Sequence, residues 1–210
     1  GNFKGTVKAI DKNSLEINGK VIKVFAEKNP ADIKFADAGA EIMLECTGLF
    51  LTQEKVQCHL DNGIKKVVMS APAKDDTPTF VIGVNHHEYA GQKIISNASC
   101  TTNCLAPVAK ILEDKFGIEK ALMTTVHSYT NDQRVLDVLH ADQRRARAAA
   151  QNIIPTTTGA AKALKLVIPS LAGKVHGHSL RVPTADVSIV DLNAVLKKDT
   201  TIEEINNAFV

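Results

Sequence analysis

The stretch Lys93-Ile-Ile-Ser-Asn-Ala-Ser-Cys-Thr-Thr-Asn-Cys104, continuing Leu105-Ala-Pro-Val-Ala-Lys-Ile-Leu-Glu-Asp-Lys-Phe-Gly117, reads as an apolar strand that runs into a long helix. Ile94 and Ile95 supply the strand. Leu105, Val108, Ala109, Ile111, Leu112 and Phe116 form a broad apolar stripe at helical spacing, with Gly117 placed to cap it. Pro107 falls in the first turns, where it is tolerated. Strands separated by helices in this way favour an open α/β sheet with ligands at the strands' carboxyl ends. Cys100 stands where strand becomes helix. A thiol there meets the positive end of the helix dipole and backbone N–H groups that lack intrahelical partners, a setting that favours thiolate. The hydroxyls of Ser99, Thr101 and Thr102 can cap the helix or bind an anion at the same place. The plainer reading is a set of capping hydroxyls beside two buried cysteines.

The flanking sequence extends the pattern. Thr6–Ile10 and Leu15–Phe25 read as two short strands, with Asn18-Gly19 as a hairpin signal, and Asn29-Pro30 ends them. Glu41–Gly48 is a buried-type strand entering a glycine turn, Thr52–Asn62 a helix capped by Gly63, and Lys65–Ser70 a strand stopped by Pro72. Thr79–Val84 and Lys93–Ala98 read as two more strands. Beyond the long helix, Lys120–His127 is a strand, Asp142–Gln151 a polar, alanine-rich segment and Thr158–Leu166 a helix. Leu180–Pro183 and Val187–Leu192 are strands, and Thr201–Phe209 opens a helix with a capping-box start. The simplest partition is two units meeting near residue 99.

Composition narrows the classes of function. Twenty-five basic and 23 acidic residues leave a net charge of +2, which gives no field suited to nucleic acid. The apolar runs are far too short to span a membrane, and no signal-peptide pattern opens the chain. Cys46, Cys58, Cys100 and Cys104 are too few and too unevenly spaced for a disulfide framework, so reduced, cytosolic thiols are expected. No metal site is expected, because Cys100-x3-Cys104 lacks a second cysteine or histidine pair at zinc spacing. Gly1-Asn-Phe-Lys-Gly reads as the interior of a longer sequence.

A thiol nucleophile needs a base, and His127 is the favoured one of seven histidines. It closes an apolar strand and opens a polar loop, where a strand-end side chain points into the usual site crevice. Cys104, one turn deeper on the same helix face, is expected to pack rather than react. Arg144, Arg145 and Arg147 supply charge for phosphate or carboxylate, although a solvated face explains most of that cluster. Arg181 differs: a charge inside the apolar strand Leu180-Arg-Val-Pro requires a ligand or a buried acid. Thr156-Thr-Thr-Gly159, at a helix start, is a second anion cradle. Together these features point to covalent chemistry on a phosphorylated substrate.

Ser96-Asn-Ala-Ser-Cys-Thr-Thr-Asn-Cys-Leu-Ala-Pro resembles the active-site signature of the phosphorylating glyceraldehyde-3-phosphate dehydrogenases, and the bacterial type in particular. Glu45-Cys-Thr-Gly-Leu-Phe, Ser70-Ala-Pro-Ala-Lys, Thr125-Val-His-Ser-Tyr-Thr-Asn-Asp-Gln, Arg144-Arg-Ala-Arg, Asn152–Lys162 and Arg181-Val-Pro-Thr match that family in order and spacing, over essentially the whole chain. The resemblance implies an NAD-dependent oxidation of glyceraldehyde 3-phosphate by way of a Cys100 thioester that inorganic phosphate attacks, with His127 as acid–base. It further implies that Thr130 and Arg181 bind the substrate C3 phosphate. Ser99, Thr101, Thr158, Gly159 and Arg145 would hold the attacking phosphate. Thr47, Gly48, Phe50, Ser70 and Asn131 would line the cofactor side. The same resemblance implies a cytoplasmic homotetramer and an α/β fold, with residues 1–99 as the remainder of a Rossmann-type NAD-binding domain and 100–210 as part of an α+β catalytic domain.

Departures from the family are as informative. Cys46 replaces a usual serine and Asp186 a usual asparagine, both peripheral to the chemistry. The glycine-rich pyrophosphate turn and the acidic ribose-binding residue of such domains do not occur in these 210 residues, so the choice between NAD and NADP rests on the resemblance alone. Two other readings are a Cys–His hydrolase or acyltransferase, which would need no nicotinamide, and a non-catalytic truncated fragment with apolar faces exposed.

Overall fold

Residues 2–210, described by a computed structural model, form three sheets. The first is an antiparallel meander of β1 (Val7–Asp11), β2 (Ser14–Ile17) and β3 (Lys20–Lys23). Asn18 and Gly19 adopt φ of 49° and 80°, the left-handed pair that a two-residue hairpin turn demands. Three strands stand where two were expected. The Asp-Lys-Asn-Ser segment is itself a tight turn, in which the Asn13 amide donates to Asp11 Oδ1 at 2.7 Å.

The second sheet is parallel, in the order β4 (Ile42–Glu45), β5 (Lys66–Met69), β6 (Ile94–Ser96). Helix α1 (Gln53–Asp61) makes the crossover from β4 to β5, starting at Thr52, whose hydroxyl accepts from the Lys55 amide. Val56 of α1 packs with Ile64, Val67, Met69 and Ile94 in a small core flanked by Phe35 and Phe50. The strand expected at Thr79–Val84 does not form; a single bridge joins Thr79 to Ser96. The Asn85 side chain accepts from the Val81 amide and donates to Thr79 O, offering this backbone an alternative to the ladder. Gly83 turns the chain at φ 82°, and Val81 and Val84 enter the larger core.

That larger core lies under a mixed sheet ordered β10 (Ile189–Leu196), β7 (Ile118–Ser128), β9 (Val175–Val182), β8 (Ile154–Thr157). Only β7 and β9 run parallel. Helices α2 (Cys100–Phe116) and α3 (Ala160–Val167) cover one face. Leu105, Ala106, Ala109 and Leu112 of α2 meet Leu164 and Val167 of α3 and Ile118 and Met123 of β7. Each large apolar side chain buried there contributes about 1.5–3 kcal/mol. β8 escapes sequence reading because Pro155 argues against a strand. It is an edge strand, where a missing N–H costs no ladder bond. β9 begins five residues before the expected Leu180, with His176 and His178 exposed. Helix α4 (Ile202–Ala208) closes the described chain with the expected capping box from Thr201 and Glu204.

Candidate active site

The site is built where β6 turns into α2. Ala98, buried and without a glycine's freedom, holds φ 57°, a left-handed conformation that costs roughly 1–2 kcal/mol. This turn places Ser99 at the N-cap and Cys100 at the first helical position. Ser99 Oγ accepts from the Thr102 amide at 3.1 Å and lies 2.8 Å from Thr102 Oγ1. The capping expectation therefore holds, and it coexists with an exposed Cys100 thiol. Cys104 is exposed too, which corrects its expected packing role. The buried stripe of α2 runs through Thr101, Thr102, Leu105, Ala106, Ala109 and Leu112, and Cys104 lies off it.

His127 comes to Cys100 from β7, with Nε2 3.3 Å from Sγ. The parallel register sets His127 opposite Arg181 and Thr125 opposite Ser179. Alternation then turns all four toward the same side. The Ser128 carbonyl lies 2.7 Å from His127 Nδ1, and Arg181 Nη1 lies 2.6 Å from the same nitrogen while donating to Ser128 O at 2.9 Å. Burial pushes the His127 imidazole below its usual range. The Ser128 carbonyl opposes that shift, and the neighbouring Arg181 charge adds to it. Burial also lowers Arg181, against the pull of the Asp132 carboxylate.

A cleft of about 200 Å³ connects these groups. Its walls are Ser99, Cys100 and Thr101 from the start of α2, Thr125 and His127 from β7, Ser179 and Arg181 from β9, and Thr157 to Ala160 at the start of α3, with Pro72 at the rim. Two helix N-termini thus converge on one small space, each presenting amides free of intrahelical partners. Thr125 Oγ1, Ser179 Oγ and Arg181 Nε are buried with no hydrogen-bond partner among the described residues, so the cleft wall carries two hydroxyls and a guanidinium N–H able to bond a polar ligand. Among the described residues, Arg181 has no carboxylate within ion-pair distance; the buried acid that would have explained it is absent.

Of the residues singled out in the sequence, Ser99, Cys100, Thr101, His127, Thr158, Gly159 and Arg181 meet in this cleft. Thr130 and Arg145 do not line it. The Thr130 hydroxyl donates to Gln133 Oε1, and Arg145 is held by Asp132 at 2.7 Å and Asp142 at 3.4 Å. Thr157 belongs to the expected Thr156–Gly159 cradle, whereas Thr125 and Ser179 carry no expectation, although spacing of two from His127 and Arg181 is a usable signal for both. Of the residues expected to line the cofactor, Thr47 and Ser70 are exposed just past the carboxyl ends of β4 and β5. Gly48 turns at φ 73°, with nothing within 4 Å of where a Cβ would stand. Phe50 is half-buried against the small core, and Asn131 is exposed in the loop after β7. The Glu45 carboxylate accepts from both the amide and the hydroxyl of Thr47, which fixes this turn. No group of metal-ligating side chains occurs among the described residues.

A parallel α/β unit abutting a mixed sheet, with a thiol–imidazole pair set among anion-binding amides and hydroxyls, defines a thiol-dependent catalytic class. The family model described as glyceraldehyde 3-phosphate dehydrogenase, C-terminal domain, matches residues 99–210, and the one described as glyceraldehyde 3-phosphate dehydrogenase, NAD binding domain, matches residues 1–53. The chain belongs to the glyceraldehyde-3-phosphate dehydrogenase family. It is 54% identical over 211 residues to glyceraldehyde-3-phosphate dehydrogenase 1 of Bacillus cereus, a match that covers 100% of this chain and 63% of that protein. With the enzyme of Geobacillus stearothermophilus the identity is 55% over 202 residues, 95% of this chain and 60% of the relative. With the chloroplastic A enzyme of Zea mays it is 53% over 210 residues, 100% and 52%. The chain therefore spans between half and two thirds of the length of these curated relatives.

Proposed function

We propose that this chain carries the catalytic centre for the NAD-dependent, phosphorylating oxidation of D-glyceraldehyde 3-phosphate to 1,3-bisphosphoglycerate. The observation that carries the proposal is the 3.3 Å approach of Cys100 Sγ to His127 Nε2, in a cleft that also holds an arginine without a carboxylate partner. Cys100 gives its thiol proton to His127 Nε2 as Sγ bonds to the aldehyde carbon. The resulting oxyanion takes hydrogen bonds from the amides at the α2 start, and the Nε2 proton then passes to it to form the hemithioacetal hydroxyl. His127 Nε2 then removes the hydroxyl proton of the hemithioacetal as hydride leaves the same carbon. NAD, when bound, supplies the hydride acceptor. An oxygen of inorganic phosphate adds to the thioester carbon, the C–S bond breaks, and the Cys100 thiolate is released.

Arg181 and Thr130 are assigned the C3 phosphate, Arg181 from the wall of the cleft and Thr130 from the loop after β7. Ser99, Thr101, Thr158 and Gly159 are assigned the attacking phosphate. Thr47, Gly48 and Ser70 fit the nucleoside side of the cofactor: their hydroxyls and open turn lie at the carboxyl ends of parallel strands, where such ligands bind. Residues 1–99 serve the cofactor and 100–210 the chemistry. No helix among the described residues is long and apolar enough to cross a membrane, and the proposal places the protein in the cytoplasm. The exposed Leu136, Val138 and Leu139 support assembly into a homotetramer.

The test is made on the full-length protein. NADH formation that requires both the aldehyde and inorganic phosphate supports the proposal. Aldehyde-independent thioester hydrolysis without nicotinamide would establish the hydrolase or acyltransferase reading instead.

A further inference from the structure

One rung of the mixed sheet carries three hydroxyls side by side. The register pairs Thr125 of β7 with Ser179 of β9, and Ser179 in turn with Thr156 of β8. The three residues are buried, at 1%, 2% and 7% exposure, on the sheet face that α2 and α3 cover. None of their hydroxyl oxygens has a hydrogen-bond partner among the described residues. Toward the strand ends the next rung pairs His127 with Arg181; in the other direction Met123 pairs with Gly177 and joins the apolar core. The row therefore has hydrocarbon beneath it and the cleft above, where Thr125 and Ser179 form part of the lining.

We propose that the hydroxyls of Thr125 and Ser179 bind inorganic phosphate from the floor of the cleft, with Thr156 backing Ser179, and so set the orientation in which that phosphate meets the thioester. The inference rests on the assignment of Ser99, Thr101, Thr158 and Gly159 to the attacking phosphate, and adds a third wall to the two that the helix starts supply. The floor takes no part in the bond changes. It binds and orients, while a phosphate oxygen adds to the thioester carbon and the C–S bond breaks.

The chemistry of the row selects this occupant. A buried hydroxyl without a partner is costly, and three on one rung are a cost that a polar ligand offsets. Inorganic phosphate at neutral pH presents bare oxygens and at least one P–OH group. Amides and a guanidinium can only donate, which suits the bare oxygens. Ser99 Oγ and Thr158 Oγ1 already accept from the amides of Thr102 and Ala160. The lone pairs on the floor are uncommitted, and a hydroxyl both donates and accepts. Three in a row can run their protons in either direction, so the floor meets a P–OH as readily as a bare oxygen. Position favours inorganic phosphate over the C3 phosphate of the aldehyde. Thr156 stands two residues before Thr158, on the strand that leads directly into α3. Arg181 Nη1 instead turns toward the strand ends, to His127 Nδ1 and Ser128 O.

The experiment uses the full-length protein and two independent variants, Ser179→Ala and Thr125→Val. Each is expected to raise KM for inorganic phosphate about two- to tenfold, the loss of one hydrogen bond. Sulfate, used as a competitor of phosphate at saturating aldehyde, should lose affinity by the same factor. The first-turnover burst of NADH precedes phosphate attack and counts correctly folded sites, so its rate and amplitude should stay at wild type, as should KM for glyceraldehyde 3-phosphate. Thr125→Ser keeps the hydroxyl and should restore the wild-type KM for phosphate. An unchanged KM for phosphate in both variants overturns the proposal, and so does a loss confined to the burst, which would make the row structural. A rise confined to KM for glyceraldehyde 3-phosphate also overturns it, by giving the floor to the C3 phosphate. Failure of the underlying reading looks different: wild-type NADH formation would then proceed over many turnovers without phosphate, whatever the variants do.

Discussion

Arg145 Nη1 and Asp132 Oδ2 meet at 2.7 Å, and this pairing separates the two arginines that the sequence associates with phosphate. Arg145 also reaches Asp142, and its carbonyl accepts from the Arg134 amide, so it ties together the long segment between β7 and β8. Arg181 has no carboxylate within ion-pair distance among the described residues and turns to His127 instead. A double-mutant cycle of Arg145→Leu and Asp132→Asn should show a coupling of about 0.2–1 kcal/mol, because Asp132 is half-exposed. Additive losses of stability would mean that the pair contributes nothing.

Cys100→Ser in the full-length protein is expected to abolish phosphorylating oxidation and leave the fold intact. Serine ionises far less readily than cysteine, and one buried histidine cannot compensate. Cys104→Ser should retain most activity, since that thiol is exposed one turn along α2 and outside the cleft. Turnover numbers and melting curves for the two variants check this. The reverse pattern would move the nucleophile to Cys104.

His127→Asn should lower turnover by roughly 10²–10⁴-fold, the usual span for a positioned acid–base. It should also slow thiol alkylation at neutral pH, because Nε2 lies 3.3 Å from Sγ, within reach of its proton. Alkylation kinetics matching wild type from about pH 5 to 9 would remove His127 from the thiol's surroundings.

Local pattern carried much of this architecture and long-range register carried the rest. The Gly117 cap, the Asn18-Gly19 turn and the Thr201 capping box depend on neighbours in sequence and are where the residues indicate; the α2 stripe holds at Leu105, Ala109 and Leu112, while Val108, expected in it, is exposed. The β8 edge strand and the failed strand at Thr79–Val84 depend on what lies across the sheet. Pro155 is acceptable only because β8 has no outer partner, and Asn85 overrides the apolar run by capturing its backbone. At the site, Cys100 and His127 were legible as strand-end and helix-start residues, but their meeting was not. It requires the parallel β7–β9 register, which also brings in Thr125 and Ser179. The Asp132 pairing that withdraws Arg145 joins two loop segments and had no signature in either.

Glu113 offers a test of stability against pH. It lies near the end of α2, accepting from the Ile118 amide at 2.6 Å and from Lys174 at 3.0 Å. Burial alone would raise its carboxyl, but the Ile118 amide, Lys174 and Ser170 together hold it below the ordinary value of 4.5. A carboxylate lowered by folding stabilises the protein above that value, and the gain is lost as pH falls through the lower folded value. Glu113→Gln should therefore cost about 0.5–1.5 kcal/mol at pH 7. Denaturant titrations of both proteins should converge as the pH drops below 4.5. A gap that stays constant with pH would show that packing, not charge, is what the substitution removes.

The two proposed anion subsites can be told apart kinetically. Arg181 lies in β9 with no carboxylate at ion-pair distance among the described residues, while Thr158 and Gly159 sit at the start of α3 on another wall of the cleft. If Arg181 holds the C3 phosphate, Arg181→Leu should raise KM for glyceraldehyde 3-phosphate about 10–150-fold, the loss of a charge-assisted bond of roughly 1.5–3 kcal/mol. Unphosphorylated glyceraldehyde never uses that contact and should be affected far less. Thr158 Oγ1 accepts from the Ala160 amide at 3.2 Å, leaving its hydroxyl proton to donate into the cleft. Thr158→Val should accordingly act on the KM for inorganic phosphate, by about tenfold for one lost bond. Steady-state kinetics with each substrate varied in turn resolve the two effects. Equal losses on both aldehydes for Arg181→Leu would make Arg181 structural and place the substrate phosphate elsewhere in the cleft.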